Sequence, residues 1–214
     1  MPDIQFVYFD LGNILVSFDP QRSCQNVADL FGVSIDQARA AVYESGLEVS
    51  YETGRINEKE FLLAVIEQLG EGGGDVSLNR FLDALGDMFT PIESMRATLQ
   101  AVRNAGYRVG ILSNTCYAHW DWVNRQDWPV MEGPFDTEVL SYEAGAMKPD
   151  ADIYAVAEQK AGVPPDSLLF LDDKQENIDA AIARGWQAVQ CFGGPGLVEQ
   201  LVRLGVISES PEVG

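Results

Sequence analysis

The stretch Val7-Tyr8-Phe9-Asp10-Leu11-Gly12-Asn13 constrains this chain more than any other. An apolar run reaches one acid and then a Gly-Asn pair. Such runs are buried strands, and Gly-Asn is turn chemistry. A carboxylate therefore stands at the carboxyl end of a buried strand, the edge at which open α/β sheets bind ligands. Asp also caps turns with no further duty, and the stretch taken alone favours that reading. Later segments decide between the two.

The rhythm after this strand is helical and then alternating. Phe18-Asp19-Pro20 breaks the strand register, with Asp19 or Ser23 available as a helix cap. From about Cys24 to Leu85 apolar residues recur at helical spacing, as in Val27, Leu30 and Phe31 or Phe61, Leu62, Val65, Ile66 and Leu69. Asn57 and Glu60 have the spacing of a capping box. The Gly-rich stretch 70–74 reads as a flexible break, and no strand is expected in this region. From Pro91 onward helices and strands alternate. Helices are expected over 91–105, 151–161, 177–184 and 197–204, and strands over 107–112, 136–140, 168–171 and 186–191. The acidic tail from Ser208 is expected to fray. This alternation predicts an α/β fold with a parallel sheet covered on both faces and a small helical insertion after the first strand. The expected division is a core of residues 1–16 and 90–214 and an insertion of residues 17–89.

Four polar sites fall at strand ends. Asp10, Ser113 and the pair Asp172-Asp173 each follow an apolar strand, and Lys148 precedes a helix in Met147-Lys148-Pro149. Each has a plain alternative: Ser113 and the Asp pair as helix caps, Lys148 as a solvated lysine. In a parallel sheet, however, strand ends share one edge, so all four groups can converge. Clustered carboxylates repel, and a hard divalent cation such as Mg²⁺ relieves that repulsion. A Ser hydroxyl and a Lys ammonium can then hold phosphate oxygens, while an Asp attacks phosphorus.

Composition narrows the partners. The chain has 33 acidic and 14 basic residues, a formal net charge of −19. It should repel nucleic acid and anionic membranes, and an anionic substrate needs a local cation. Cys24, Cys116 and Cys191 are odd in number and widely spaced, which suits reduced thiols and a cytoplasmic protein. Cys116 has no evident partner as a nucleophile, the one histidine being His119. Neither a signal peptide nor a membrane-spanning run is visible.

The motifs Phe9-Asp10-Leu11-Gly12-Asn13, Leu112-Ser113-Asn114-Thr115, Met147-Lys148-Pro149 and Leu171-Asp172-Asp173-Lys174-Gln175-Glu176-Asn177 resemble those of the haloacid dehalogenase-like (HAD) hydrolases, most of which are Mg²⁺-dependent phosphatases. The resemblance covers nearly the whole chain. It implies a Rossmannoid core with a helical C1 cap, in which Tyr51 to Ile56 resembles the segment facing the active site. The wording of the first two motifs is similar to the subgroup containing bacterial α-glucose-1-phosphate phosphatase. By this resemblance Asp10 is the nucleophile, Ser113 and the backbone amide of Asn114 hold the phosphoryl group, and Lys148 neutralises both. Asp10, the Gly12 carbonyl and Asp173 bind Mg²⁺, Asp172 assists, and Asn177 orients the acidic loop. The substrate is then a small phosphorylated metabolite, probed by a monomer or a homodimer.

One departure stands out. Most phosphatases of the family carry a second Asp two residues after the nucleophile, as general acid and base. Here that position is Gly12. The competing readings are a metal-independent 2-haloacid dehalogenase, which also lacks that Asp, and a retired enzyme that only binds. The paired Asp172-Asp173 argues against the first, the intact Asp10, Ser113, Lys148 and Asp173 against the second. Two further features have plain readings. His119-Trp120-Asp121-Trp122, with Trp128, is expected to pack on the core in preference to walling a substrate, with His119 a weak candidate for the missing acid. Glu52 and Arg55 are expected to be solvated.

Overall fold

The computed structural model describes residues 3–70 and 76–208. The Gly-rich break and the acidic tail lie almost wholly outside these residues. Five parallel strands form the sheet: β1 (Phe6–Phe9), β4 (Arg108–Ser113), β5 (Thr137–Leu140), β6 (Leu168–Asp172) and β7 (Gln187–Gln190), in the order β5-β4-β1-β6-β7. All four residues of β1 are buried, as a strand covered on both faces requires. Phe9 is level with Ile111 of β4 and Leu171 of β6. The next residue, Asp10, therefore leaves the sheet beside the ends of both neighbours.

Helices cover the two faces: α6 (Ser94–Asn104), α7 (Tyr117–Arg125), the short α8 (Ser141–Ala144), α9 (Ala151–Ala161), α10 (Gln175–Ala183) and α11 (Pro195–Arg203). One face buries Val7, Phe9, Val109, Ile111, Leu169 and Leu171 against α6 and α11 residues such as Met95, Leu99, Leu197 and Leu201. The other buries Phe6, Tyr8 and Phe170 against Tyr154, Ile178 and Trp186. Tyr8 and Trp186 stack at 5.8 Å. No described helix is long and apolar enough to cross a membrane.

Between the first and second core strands lie α1 (Pro20–Phe31), α2 (Ile35–Arg39), α3 (Leu47–Glu52), α4 (Glu58–Leu69) and α5 (Leu78–Gly86), with a π-helical turn over Ala40–Glu44. They bury their own cluster, including Val27, Phe31, Phe61, Val65, Phe81 and Leu85. Asp19 caps α1, and Asn57 and Glu60 form the expected capping box on α4, a device worth about 1 kcal/mol.

Two elements differ from the expectation. Val16–Phe18 (β2) and Phe89–Pro91 (β3) pair antiparallel and tie the two ends of the helical insertion together. Pro91 accordingly ends a strand, and α6 begins later, at Ser94. Three-residue strands are too short to show a period of two, so only the pairing reveals them.

Candidate active site

The site is built around the ammonium of Lys148, which is 3% exposed. Its Nζ lies 2.9 Å from Asp10 Oδ1 and 2.6 Å from Asp172 Oδ2, and it donates to the Leu112 carbonyl at 2.9 Å. Three acceptors from the ends of three adjacent strands thus use its three protons. Burial alone would lower the lysine pKa, but Asp10 and Asp172 more than offset it and hold the group above its usual value, so the cation persists. The backbone of Lys148 is fixed too. Its N–H donates to Asn114 Oδ1 at 2.7 Å, and its carbonyl accepts from Asn114 Nδ2 at 2.9 Å. The Asn114 side chain therefore joins the segment after β4 to the one before α9, which leaves its backbone amide as the part free for a ligand.

Asp10 is 8% exposed. Its Oδ1 accepts from the Leu11 N–H at 2.7 Å. Burial pushes its pKa up to about 6; Lys148 pulls it down and Asp172 adds to the rise. Ser113 is buried, and its hydroxyl has only a long bond, 3.4 Å, to the Asn114 carbonyl. Thr115 anchors the turn after it by exchanging bonds with Ser141 Oγ, each 2.9 Å.

The two aspartates at the end of β6 have different surroundings. Asp172 is fully buried and saturated: besides Lys148 it accepts from Asn177 Nδ2, 3.0 Å to each oxygen, and from the Lys174 N–H at 2.8 Å. Asn177 is held in turn by α10, whose first turn offers its carbonyl to Tyr154 Oη at 2.8 Å. Asp173 is half-buried and accepts from Asn13 Nδ2 at 2.9 Å. Asn13 can reach it because its backbone adopts φ 56°, the left-handed region that Asn tolerates. Sequence reasoning noticed Asn13 only as a turn residue.

Carboxylate oxygens of Asp10, Asp172 and Asp173 lie within 4.8 Å of one another. Against three carboxylates stands one buried ammonium. The deficit of positive charge and the all-oxygen donor set fit a hard divalent cation. Because Asp172 is already saturated, Asp10 and Asp173 are the side chains free to bind one, with the Gly12 carbonyl beside them in the same loop.

A cavity of about 260 Å³ opens beside the residues that follow these groups in the chain, lined among others by Gly12, Phe18, Ser113, Asn114 and Lys174. The helical insertion contributes Tyr43, Glu48 and Glu52. The π-helical turn carries Tyr43, whose hydroxyl donates to Ser23 Oγ at 2.8 Å. Glu48 and Glu52 occupy one face of α3 at the i, i+4 spacing. Burial pushes Glu52 up to about 7, with Lys174 opposing and Asp10 adding. Burial likewise pushes Glu48 up to about 8, with Glu52 adding and Lys174 opposing. The expectation of a solvated Glu52 is therefore corrected, whereas Arg55 is exposed and outside the lining. Helical spacing marked both residues as polar but could not say which way α3 faced.

Other expectations resolve here. His119 does line the cavity, but it is buried edge-on to Phe89 at 5.3 Å, and burial pushes its pKa down to about 4. It is neutral near pH 7 and a poor acid. Trp120, Trp122 and Trp128 pack against the core, outside the cavity lining. The Cys116 thiol is buried and, chiefly by burial, pushed well above its usual pKa, which removes it as a nucleophile.

This geometry has clear parallels. Residues 9–185 match the family of haloacid dehalogenase-like hydrolases. The chain belongs to this family. Among relatives of this hydrolase, the D-ribitol-5-phosphate phosphatase of Bacteroides thetaiotaomicron is 24% identical, over 92% of this chain and 97% of that one. The (S)-2-haloacid dehalogenase of Pseudomonas fluorescens is 26% identical, over 85% of this chain and 81% of that one. In structure, the HAD family enzyme bt-2542 of B. thetaiotaomicron, solved with magnesium and inorganic phosphate, superposes with a TM-score of 0.74 at 26% identity, covering 90% of this chain and 96% of that one.

Proposed function

We propose that this hydrolase is a Mg²⁺-dependent phosphatase acting on a small phosphate monoester of a sugar or sugar alcohol. The observation that carries the reading is the cluster of Asp10, Asp172 and Asp173 about a single buried lysine. The three carboxylates need a cation, and a metal-independent dehalogenase would have no use for that arrangement. The relatives named for phosphatase activity and the neighbour solved with magnesium and phosphate support the same reading. The polar cavity, with two carboxyls and Lys174 above the buried site, suits a polyhydroxylated leaving group. The alternatives are dehalogenation and binding without turnover. The three buried, unpaired thiols suit a reducing cytoplasm.

In this reading Asp10, Asp173 and the Gly12 carbonyl would hold Mg²⁺, which when bound would neutralise phosphate oxygens and keep Asp10 ionised. Asp10 attacks phosphorus as the ester P–O bond breaks and the alcohol leaves, giving an aspartyl-phosphate; water then attacks that phosphorus, releasing phosphate and restoring Asp10. Ser113 Oγ and the Asn114 N–H hold the transferring oxygens. Lys148 offsets charge on Asp10 and on the phosphoryl group, and Asp172 with Asn177 keeps that ammonium in place. The helical insertion acts as the cap that closes the cavity. Lys148 and Asn114 are already fixed by hydrogen bonds before substrate arrives, which is where electrostatic catalysis gains most.

Phosphate release from a panel of sugar and sugar-alcohol phosphates, with Mg²⁺ and with EDTA, tests this. Turnover that EDTA abolishes is expected. No phosphate release, alongside metal-independent halide release from 2-chloropropionate, would overturn the reading.

A further inference from the structure

A phosphatase of this design needs a proton for its leaving oxygen, and Gly12 has no side chain to give one. A Cβ at Gly12 would lie 3.0 Å from Phe18 Cε1, so a side chain there would need the exposed Phe18 ring to give way. The acid must therefore come from elsewhere around the cavity. His119 is neutral, and Tyr43 already donates to Ser23. Ser113 and Asn114 are committed to the phosphoryl group. Two carboxyls remain, Glu48 and Glu52. Of the two, Glu52 sits between Tyr51 and Gly54, which bear on the core, whereas Glu48 lies one helical turn earlier; the charges of Asp10 and Lys148 act on Glu52.

The backbone around Glu52 is clamped to the core on both sides. Tyr51 Oη accepts from the Ala118 N–H of α7 at 3.0 Å. Two residues beyond Glu52, Gly54 adopts φ 66° so close to the Tyr142 carbonyl that a Cβ would clash with it. Glu52 thus belongs to the helical insertion in sequence, yet the residues flanking it bear directly on the core. The charged and titratable groups around it are Glu48 on α3, Tyr43 on the π-helical turn, Cys116 and His119 at α7, Lys174 before α10, and Asp10 and Lys148 beneath.

We propose that Glu52 is the acid–base residue of this site, standing in for the carboxyl that Gly12 lacks. The inference rests on the phosphatase reading. As the Asp10 oxygen bonds to phosphorus and the ester P–O bond breaks, the Glu52 carboxyl proton passes to the departing oxygen, giving the free alcohol. Water then attacks the aspartyl-phosphate. Its proton returns to the Glu52 carboxylate, the Asp10–phosphorus bond breaks, and phosphate leaves. Burial keeps the carboxyl protonated up to about pH 7, where an acid is needed.

The test is a leaving-group series with Mg²⁺, from p-nitrophenyl phosphate to alkyl phosphates, measured as kcat/KM on wild type, Glu52→Gln and Glu48→Gln. The expected result is that Glu52→Gln loses about 10²–10⁴-fold more on alkyl than on p-nitrophenyl phosphate. It is also expected to lack the fall in alkyl-phosphate turnover that the Glu52 carboxyl should give wild type as pH rises through about 7. Circular dichroism of each variant verifies folding, and Glu52→Asp is expected to recover part of the alkyl activity. Equal losses on all substrates in Glu52→Gln would reduce the residue to a structural role and overturn the proposal. So would a selective alkyl loss in Glu48→Gln only. A wild-type enzyme that releases no phosphate even from p-nitrophenyl phosphate would overturn the phosphatase reading itself, and is told apart from those two outcomes in the first measurement.

Discussion

Lys148 is a single cation between two buried carboxylates, and removing it leaves both uncompensated. Lys148→Ala is expected to lower stability by about 3–5 kcal/mol, the usual cost of breaking a buried ion pair from one side. Urea unfolding without metal measures this, and added Mg²⁺ should recover part of the loss by relieving the same repulsion. Gly12 gives a second prediction. Gly12→Asp alone places a Cβ 3.0 Å from the exposed Phe18 ring, which must shift to admit it, so a blunted gain in rate is expected. Gly12→Asp with Phe18→Ala opens that space and should accelerate turnover of alkyl phosphates, most visibly when Glu52 is already Gln. Failure of the double change to accelerate would mean that the space above Gly12 does not lead to the leaving oxygen. These residues differ in legibility. Asp10, Ser113, Asp172 and Asp173 could be singled out because each directly follows a run of buried apolar residues. Glu52 could not, because a glutamate on an amphipathic helix looks the same whether it faces solvent or a cavity.

At the scale of elements, α3 is the junction. Its carboxyls reach the cavity because Tyr51 and Gly54 press the helix and the turn after it onto the core. Tyr51→Phe removes one hydrogen bond and leaves the Ala118 N–H unpaired, at a cost of about 1–3 kcal/mol. Gly54→Ala adds a clash to a left-handed backbone position that Ala disfavours. It is expected to lift α3 and lower kcat/KM by about tenfold or more, through the positioning of Glu52. A Gly54→Ala enzyme with wild-type kcat/KM would show that α3 need not be held so closely. The helices themselves were readable from caps and periodicity, including Asp19 on α1 and the Asn57–Glu60 box. The pair β2–β3 was not, since each strand owes its existence to the other and neither has a pattern of its own.

The whole molecule carries a net charge of −19, so its long-range field opposes a phosphate dianion. Screening that field should help: kcat/KM for an anionic substrate is expected to rise with NaCl at saturating Mg²⁺. A fall would mean that the local cations outweigh the global charge at the cavity mouth. Bound Mg²⁺ should also raise the melting temperature, because a ligand at a hundred times its Kd stabilises by about 2.7 kcal/mol. Absence of any shift would count against the carboxylate cluster as a metal site. The amino-acid sequence by itself determined the alternation of strands and helices, the strand ends at which acids stand and the missing carboxyl at Gly12, because these depend on periodicity and on neighbours in the chain. Only the tertiary structure decided that Asp172 is saturated by Lys148 and Asn177, that a Cβ at Gly12 would press on Phe18 and that Glu52 lines the same cavity as Gly12 and Ser113. Those facts depend on which surfaces meet, and side chains on different elements meet only when the sheet and its helical insertion are packed together.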